Sequence, residues 1–261
     1  MCYREPLDIR ANAMDLFEAF VILITGICGG IFGTLTGGAG LITIPALIFL
    51  GLPSHSAIGT HFFGVTGMNL TGWYKFHEKG MINYRLGFFV TIPVLLGSIL
   101  GASLVLQINE AILKKTIAIL TILILFFMGF RPNVGLHNTR EIIKRHEYCL
   151  GMFLSFFVGV YNGFYSSVSG TFLTYILILL FGQTFLGSAA TRKLPMTISS
   201  GIAAVIFALN GAIFYPMGIG LFVSSSVGAY IGANYSGRIG NIWIKRSFFF
   251  IVFLMAMKLL I

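Results

Sequence analysis

The sequence predicts an all-α, polytopic membrane protein, and three observations carry that prediction. Hydrophobic residues make up 57% of the 261-residue chain and charged residues only 10%. Mean hydropathy is +0.92, whereas soluble domains carry charge at about a quarter of their positions. The apolar residues also gather in runs that suit helical spans of roughly 20 residues. A β-barrel would show alternating segments of ~10 residues; these runs are apolar on every side.

The elements follow in order. A polar tail of mixed charge occupies residues 1–15. It does not read as a cleaved signal, because the apolar stretch behind it is long and no small-residue cleavage site leads into a soluble domain. Apolar segments near 16–36, 41–51, 57–76, 86–107 and 111–130 then form a first transmembrane repeat, residues 16–130. A polar linker at 131–147 opens on RPN and carries the run HNTREIIKRHE. Segments near 148–166, 171–182, 188–209, 213–236 and 243–261 form a second repeat, residues 148–261. Each half runs long, short, long, long, long.

The halves also match by residue. Gly29, Gly33 and Gly40 recur 130 positions later as Gly159, Gly163 and Gly170. After a slip of one, Gly51, Thr60, Gly80, Tyr84, Gly87, Gly97, Gly101 and Lys114 recur as Gly182, Thr191, Gly211, Tyr215, Gly218, Gly228, Gly232 and Lys245. A register held over about 85 residues predicts a tandem duplication. Five spans per half make the repeats inverted. Twelve Lys and Arg residues then share the linker's face and five the other, which places the linker in the cytoplasm by the positive-inside rule. If the short segments 41–51 and 171–182 are re-entrant, each half has four spans, the repeats are parallel and the charge split weakens.

The stretch TGGAGLITIP, Thr36 to Pro45, puts three glycines and a proline inside an apolar run. Glycine costs about 1 kcal/mol in a helix and proline about 3. The short segment behind it spans about 16 Å as a helix, roughly half a bilayer. Short Gly/Pro-interrupted segments at matching places in two repeats mark the binding site of secondary transporters. Such a break leaves backbone N–H groups free to attract an anion. The second half offers SSVSG, where the hydroxyls of Ser166, Ser167 and Ser169 precede Gly170 and add donors. The competing role is close helix packing, which we assign to Gly26, Gly30, Gly97, Gly101, Gly228 and Gly232. The site reading goes to Gly37, Gly38 and Gly40 with the serine cluster.

The ionisable residues favour an anion. All eight carboxylates lie in tails, loops or segment ends, whereas cation sites and many proton relays place one in mid-membrane. Arg192 and Lys193 sit near the start of an apolar segment, where substrate binding competes with interfacial snorkelling. His61 takes the place equivalent to Arg192, as a hydrogen-bonded structural residue or as a ligand or proton group.

The pattern GGIFGTLTGGAGLITIPALIFLGLPSHSAIGTH resembles the signature of the TauE/SafE family of sulfite-exporter-like transport proteins. That signature joins a glycine-rich helix, a glycine cluster, an apolar half-segment with proline, a GLP-type turn and an alanine-rich stretch. The second half is similar, with SAATRK and LNGAIFYPMGIGLFVSSSVGAYIGA. The resemblance runs from about residue 20 to the end. It implies a bacterial inner-membrane transporter of sulfur-containing anions such as sulfite or sulfoacetate. By position it implies a site at Gly37, Gly38, Gly40, Pro45, Thr60, Gly170, Thr191 and Lys193. Here the second glycine cluster is SSVSG, and His61 and Arg192 stand where the family often has serine.

Other function classes fit less well. The chain has no HExxH, no GxSxG and no paired membrane aspartates, and its five histidines lack metal spacing. An intramembrane enzyme is therefore disfavoured, and no metal or cofactor is indicated. Cys2, Cys28 and Cys149 form neither a disulfide framework nor a zinc site. The net charge of +9 comes without basic stretches interleaved with aromatics, so nucleic acid is not an expected partner; lipid and a small anion are. A glycine-lined channel remains the alternative to a carrier.

Overall fold

The computed structural model describes residues 14–117, 119 and 145–236. The polar tail to residue 13, most of the 111–130 segment, the linker up to residue 144 and the 243–261 segment lie outside the described residues.

Every regular element among the described residues is helical. The first half supplies α1 (Leu16–Leu35), α2 (Gly40–Phe49), α3 (Ser54–Glu78) and α4 (Tyr84–Val105). The second supplies α5 (Arg145–Tyr165), α6 (Ser169–Leu179), α7 (Phe185–Thr191), α8 (Lys193–Leu209) and α9 (Tyr215–Tyr235). Five stretches are long and apolar enough to cross a membrane: α1, α4, α5, the 185–209 stretch that holds α7 and α8, and α9. The chain is thus a multi-pass membrane protein.

Two sequence expectations shift. The apolar run 188–209 is not one helix: it begins at Phe185 and breaks at Arg192. Pro195 explains the break, because it has no N–H to give the Thr191 carbonyl one turn earlier. The linker's last three residues, Arg145 to Glu147, are already the first turn of α5.

The helices interleave between halves. α1 packs along α9, and α4 packs along α5. α3 lies against α8 and α9, and α4 against α8. α3 is long enough to span but too polar to count among the apolar helices, because 15 of its 25 residues face protein. The short helices α2 and α6 pack on the helices before them, α1 and α5.

Small residues set the approach of the long pairs. A Cβ placed on Gly30 would lie 2.9 Å from Gly228 Cα and run into the Ser225 carbonyl. One on Gly97 would lie 2.7 Å from Val160 N, and one on Gly101 2.8 Å from Phe164 N. The α1–α9 and α4–α5 contacts are therefore backbone against backbone, which agrees with the packing role read from the sequence. Gly228→Leu should cost about 3 kcal/mol, the upper end of overpacking penalties, and lower the thermal midpoint in detergent. Gly201→Ala on α8 should be neutral or stabilising, because its Cβ would meet nothing closer than 3.9 Å.

Asp15, Glu18 and Glu110 hold helix starts. Glu18 forms a capping box with Asp15 at the start of α1. Glu110 accepts the Ser54 N–H at 2.5 Å and pairs with His55 Nδ1 at 2.8 Å, fixing the start of α3. Each carboxylate thus meets the positive end of a helix dipole.

Candidate functional site

The helix breaks build the site. α1 ends at Leu35, and Gly37 turns the chain with φ +93 before α2 begins. Only glycine adopts that conformation without strain. The matching turn before α6 uses Ser166 at φ 62 and Val168 at φ 65. A β-branched residue there is a true outlier, held against a cost of about 1–3 kcal/mol. Thr171 Oγ1 donates to the Thr36 carbonyl at 2.5 Å and ties the two turns together.

The two breaks touch. A Cβ on Gly170 would lie 2.9 Å from Gly37 Cα, and one on Gly37 would lie 2.6 Å from the Gly170 carbonyl carbon. Either Cβ would also collide with Arg192 Nη1. One guanidinium therefore lies across both glycines. The amide N–H groups of Gly38, Ala39 and Gly40 opening α2, and of Ser169 and Gly170 opening α6, have no acceptor among the described residues.

Arg192 and Lys193 are 2% and 1% exposed, so neither snorkels. The polypeptide folds them inward, two turns into the 185–209 stretch. Arg192 Nη2 donates to the Thr34 carbonyl at 2.8 Å and the Gly33 carbonyl at 3.3 Å, at the negative end of α1. Its Nε has no partner among the described residues. Lys193 Nζ donates to Thr34 Oγ1 at 3.2 Å and Asn69 Oδ1 at 3.3 Å. Asn69 in turn donates to Ser200 at 3.2 Å, and Asn162 donates to Ser199 at 3.2 Å. The adjacent serines of α8 thus fix two buried asparagines, one on α3 and one on α5.

A cavity of about 30 Å³ lies among these groups, room for roughly two water-sized groups. Of the residues read from the sequence, Gly37, Gly40, His61, Ser166, Ser169, Gly170 and Arg192 line it. Ser169 donates to Asn162 Oδ1 at 2.7 Å, so its hydrogen is committed within the wall. No described lining residue carries a carboxylate.

The other expected residues stand back. Ser167 is buried against Gly40, its Oγ 2.7 Å from where a Cβ would be. Pro45 is inside α2, and Lys193 is one layer behind Arg192. Gly38 is in the turn but not in the wall. Thr60 accepts the Phe214 N–H at 2.9 Å, and Thr191 accepts the Asn83 N–H at 3.1 Å. Each threonine thereby holds a helix start in the opposite half, Thr60 that of α9 and Thr191 that of α4. Asn69, Asn162 and Ser200, which do line the cavity, were not anticipated. Their signal was an asparagine within each of two apolar segments, where polar side chains are costly.

The comparisons with known proteins agree with this architecture. The family model described as Sulfite exporter TauE/SafE matches residues 22–259. The chain belongs to the TauE/SafE family. A probable membrane transporter protein of Haemophilus influenzae is 31% identical over 92% of this chain and 93% of its own. Another from Sinorhizobium, ORF9, is 24% identical over 92% and 91%. The probable membrane transporter protein YfcA of Escherichia coli K12 is 25% identical over 92% and 88%. No solved structure matches the chain. For this TauE/SafE member, then, the membrane-transporter class rests on family and fold together.

Proposed function

We propose that the protein is a secondary transporter of a small anion, with sulfite-type oxyanions as the first class to test. The observation that carries this reading is the buried Arg192 guanidinium lying across two facing helix breaks, in a polar cavity whose described lining carries no carboxylate. Half-helix N-termini and a buried cation both favour negative charge. The cavity volume favours a compact inorganic ion over an organosulfonate with a carbon chain.

The duplication read from the sequence would support alternating access. Asn69 and Ser200, 131 positions apart, hydrogen-bond to each other. That is the sequence repeat's own offset, as expected for a pair lying on a pseudo-two-fold axis. Thr60 and Thr191, also repeat partners, make reciprocal bonds to Phe214 and Asn83, which are partners at the same offset. Opposed motion of inverted halves would open the cavity first to one side and then to the other. The proposed location is the bacterial inner membrane.

Uptake of radiolabelled sulfite into proteoliposomes tests the reading. Saturable uptake with counterflow is the expected result. Single-channel steps would replace the carrier with a pore, and no uptake by folded protein would remove sulfite as substrate.

A further inference from the structure

We infer that His61 selects the hydrogen form of the anion, so that each oxyanion binds with one hydrogen placed between it and His61 Nε2; this rests on the anion-transport reading above. His61 is fully buried and lines the cavity. Its Nδ1 lies 2.6 Å from Thr43 Oγ1. Thr43 Oγ1 also donates to the Ala39 carbonyl at 3.1 Å, one turn back along α2. A threonine hydroxyl has a single hydrogen. With that hydrogen on Ala39, Nδ1 must carry the hydrogen of the His61–Thr43 bond. Nε2 is then an acceptor, and it has no partner among the described residues.

The chain His61 Nδ1–H to Thr43 O–H to Ala39 carbonyl therefore turns an acceptor toward the cavity, while Arg192 turns a cation toward it. A bare anion satisfies Arg192 and leaves Nε2 facing a negative oxygen. An oxyanion with one hydroxyl satisfies both. Moving that hydrogen onto Nε2 leaves the Thr43 bonds unchanged, so the pair takes the proton on either side. A buried polar atom left unmet costs about 1–3 kcal/mol, and sites built to hydrogen-bond a ligand hydroxyl reject analogues that lack it.

Among the described residues, no other charge faces His61 from the packed elements. α2 and α7 carry no titratable side chain, and Lys193 of α8 is held by Thr34 and Asn69. Of α1, Glu18 lies in the first turn, remote from the C-terminal end that meets the cavity, and Cys28 is not in the wall. Tyr215 of α9 packs on Phe63, Tyr230 lies under Lys75, and Tyr235 ends the helix. Along α3 itself, His55 is held by Glu110, and Tyr74, Lys75, His77 and Glu78 lie in the last turns.

The test is competition against radiolabelled sulfite uptake in proteoliposomes at near-neutral pH. Unlabelled hydrogen selenite and dihydrogen phosphate carry a hydroxyl; sulfate and methanesulfonate carry none. Wild type should be inhibited at least tenfold more strongly by the first pair. His61→Asn keeps a group for Thr43 but has nothing at the Nε2 position, and whatever uptake it retains should lose this preference. His61→Gln, with an amide oxygen in reach of that place, should restore part of it. Equal inhibition of wild type by the two pairs, or an unchanged preference in His61→Asn, overturns the inference and leaves anion transport intact. Absence of uptake by folded wild type removes both. If His61→Asn does not fold, the wild-type series alone decides.

Discussion

Arg192→Gln should lower the efficiency of anion uptake by about 100-fold or more, because truncating one member of a buried charge pair costs about 2–5 kcal/mol. The loss is specific to the site. Gly33 O keeps its bond from Gly37 N at 3.1 Å, so the variant orphans chiefly the Thr34 carbonyl. The structural cost is then about 1–3 kcal/mol, and folded protein should still be recovered. Arg192→Lys retains the charge but loses the planar fork that reaches both glycines. It should fall between wild type and Arg192→Gln, with the defect in KM. Uptake kinetics and thermal unfolding, measured on the same preparations, check both statements. Normal uptake by Arg192→Gln would end the site assignment.

Gly37→Ala should abolish transport, and a matched control separates the reason from backbone strain. Gly37 and Gly51 have nearly the same φ, +93 and +92. Alanine at either position carries the same left-handed penalty, of order 1–2 kcal/mol. A Cβ at Gly51 meets nothing within 4 Å, whereas at Gly37 it meets Arg192 and the α6 turn. Gly51→Ala should therefore lose stability and keep transport, while Gly37→Ala loses both. Gly170→Ala has no left-handed penalty, so it should lose transport with a stability change set by the clash of its Cβ with Gly37 and Arg192 alone. Equal transport by Gly37→Ala and Gly51→Ala would mean that the two breaks do not bound the substrate path.

Much of the described fold was legible because its physics is local. Apolar runs of span length give the helices. Paired glycines such as Gly30 and Gly228 give the close contacts, since only a missing Cβ admits a backbone so near. The breaks at Gly37 and SSVSG were visible because glycine and clustered serine oppose a helix. The role of Arg192 was not visible. Beside Lys193 at the apparent start of a span it read equally as an interfacial residue, and only the helix start at Phe185 and the interruption ahead of Pro195 carry it to the centre. Thr60 and Thr191 stand outside the cavity wall for a related reason. They match at the offset of 131 in the sequence, but each hydroxyl serves a helix start in the opposite half, a partner that no local pattern names. Asn69 and Asn162 meet α8 across 131 and 37 positions, a pairing that sequence spacing does not encode.

The central claim is that an anion binds where the two helix breaks meet Arg192. Selenite, a heavier isostere of sulfite, tests it most directly. Once selenite is shown to compete with sulfite, a crystal of the protein grown with it should give an anomalous selenium peak within hydrogen-bond reach of Arg192, between Gly37 and Gly170. A competing selenite whose peak lies elsewhere would contradict the account.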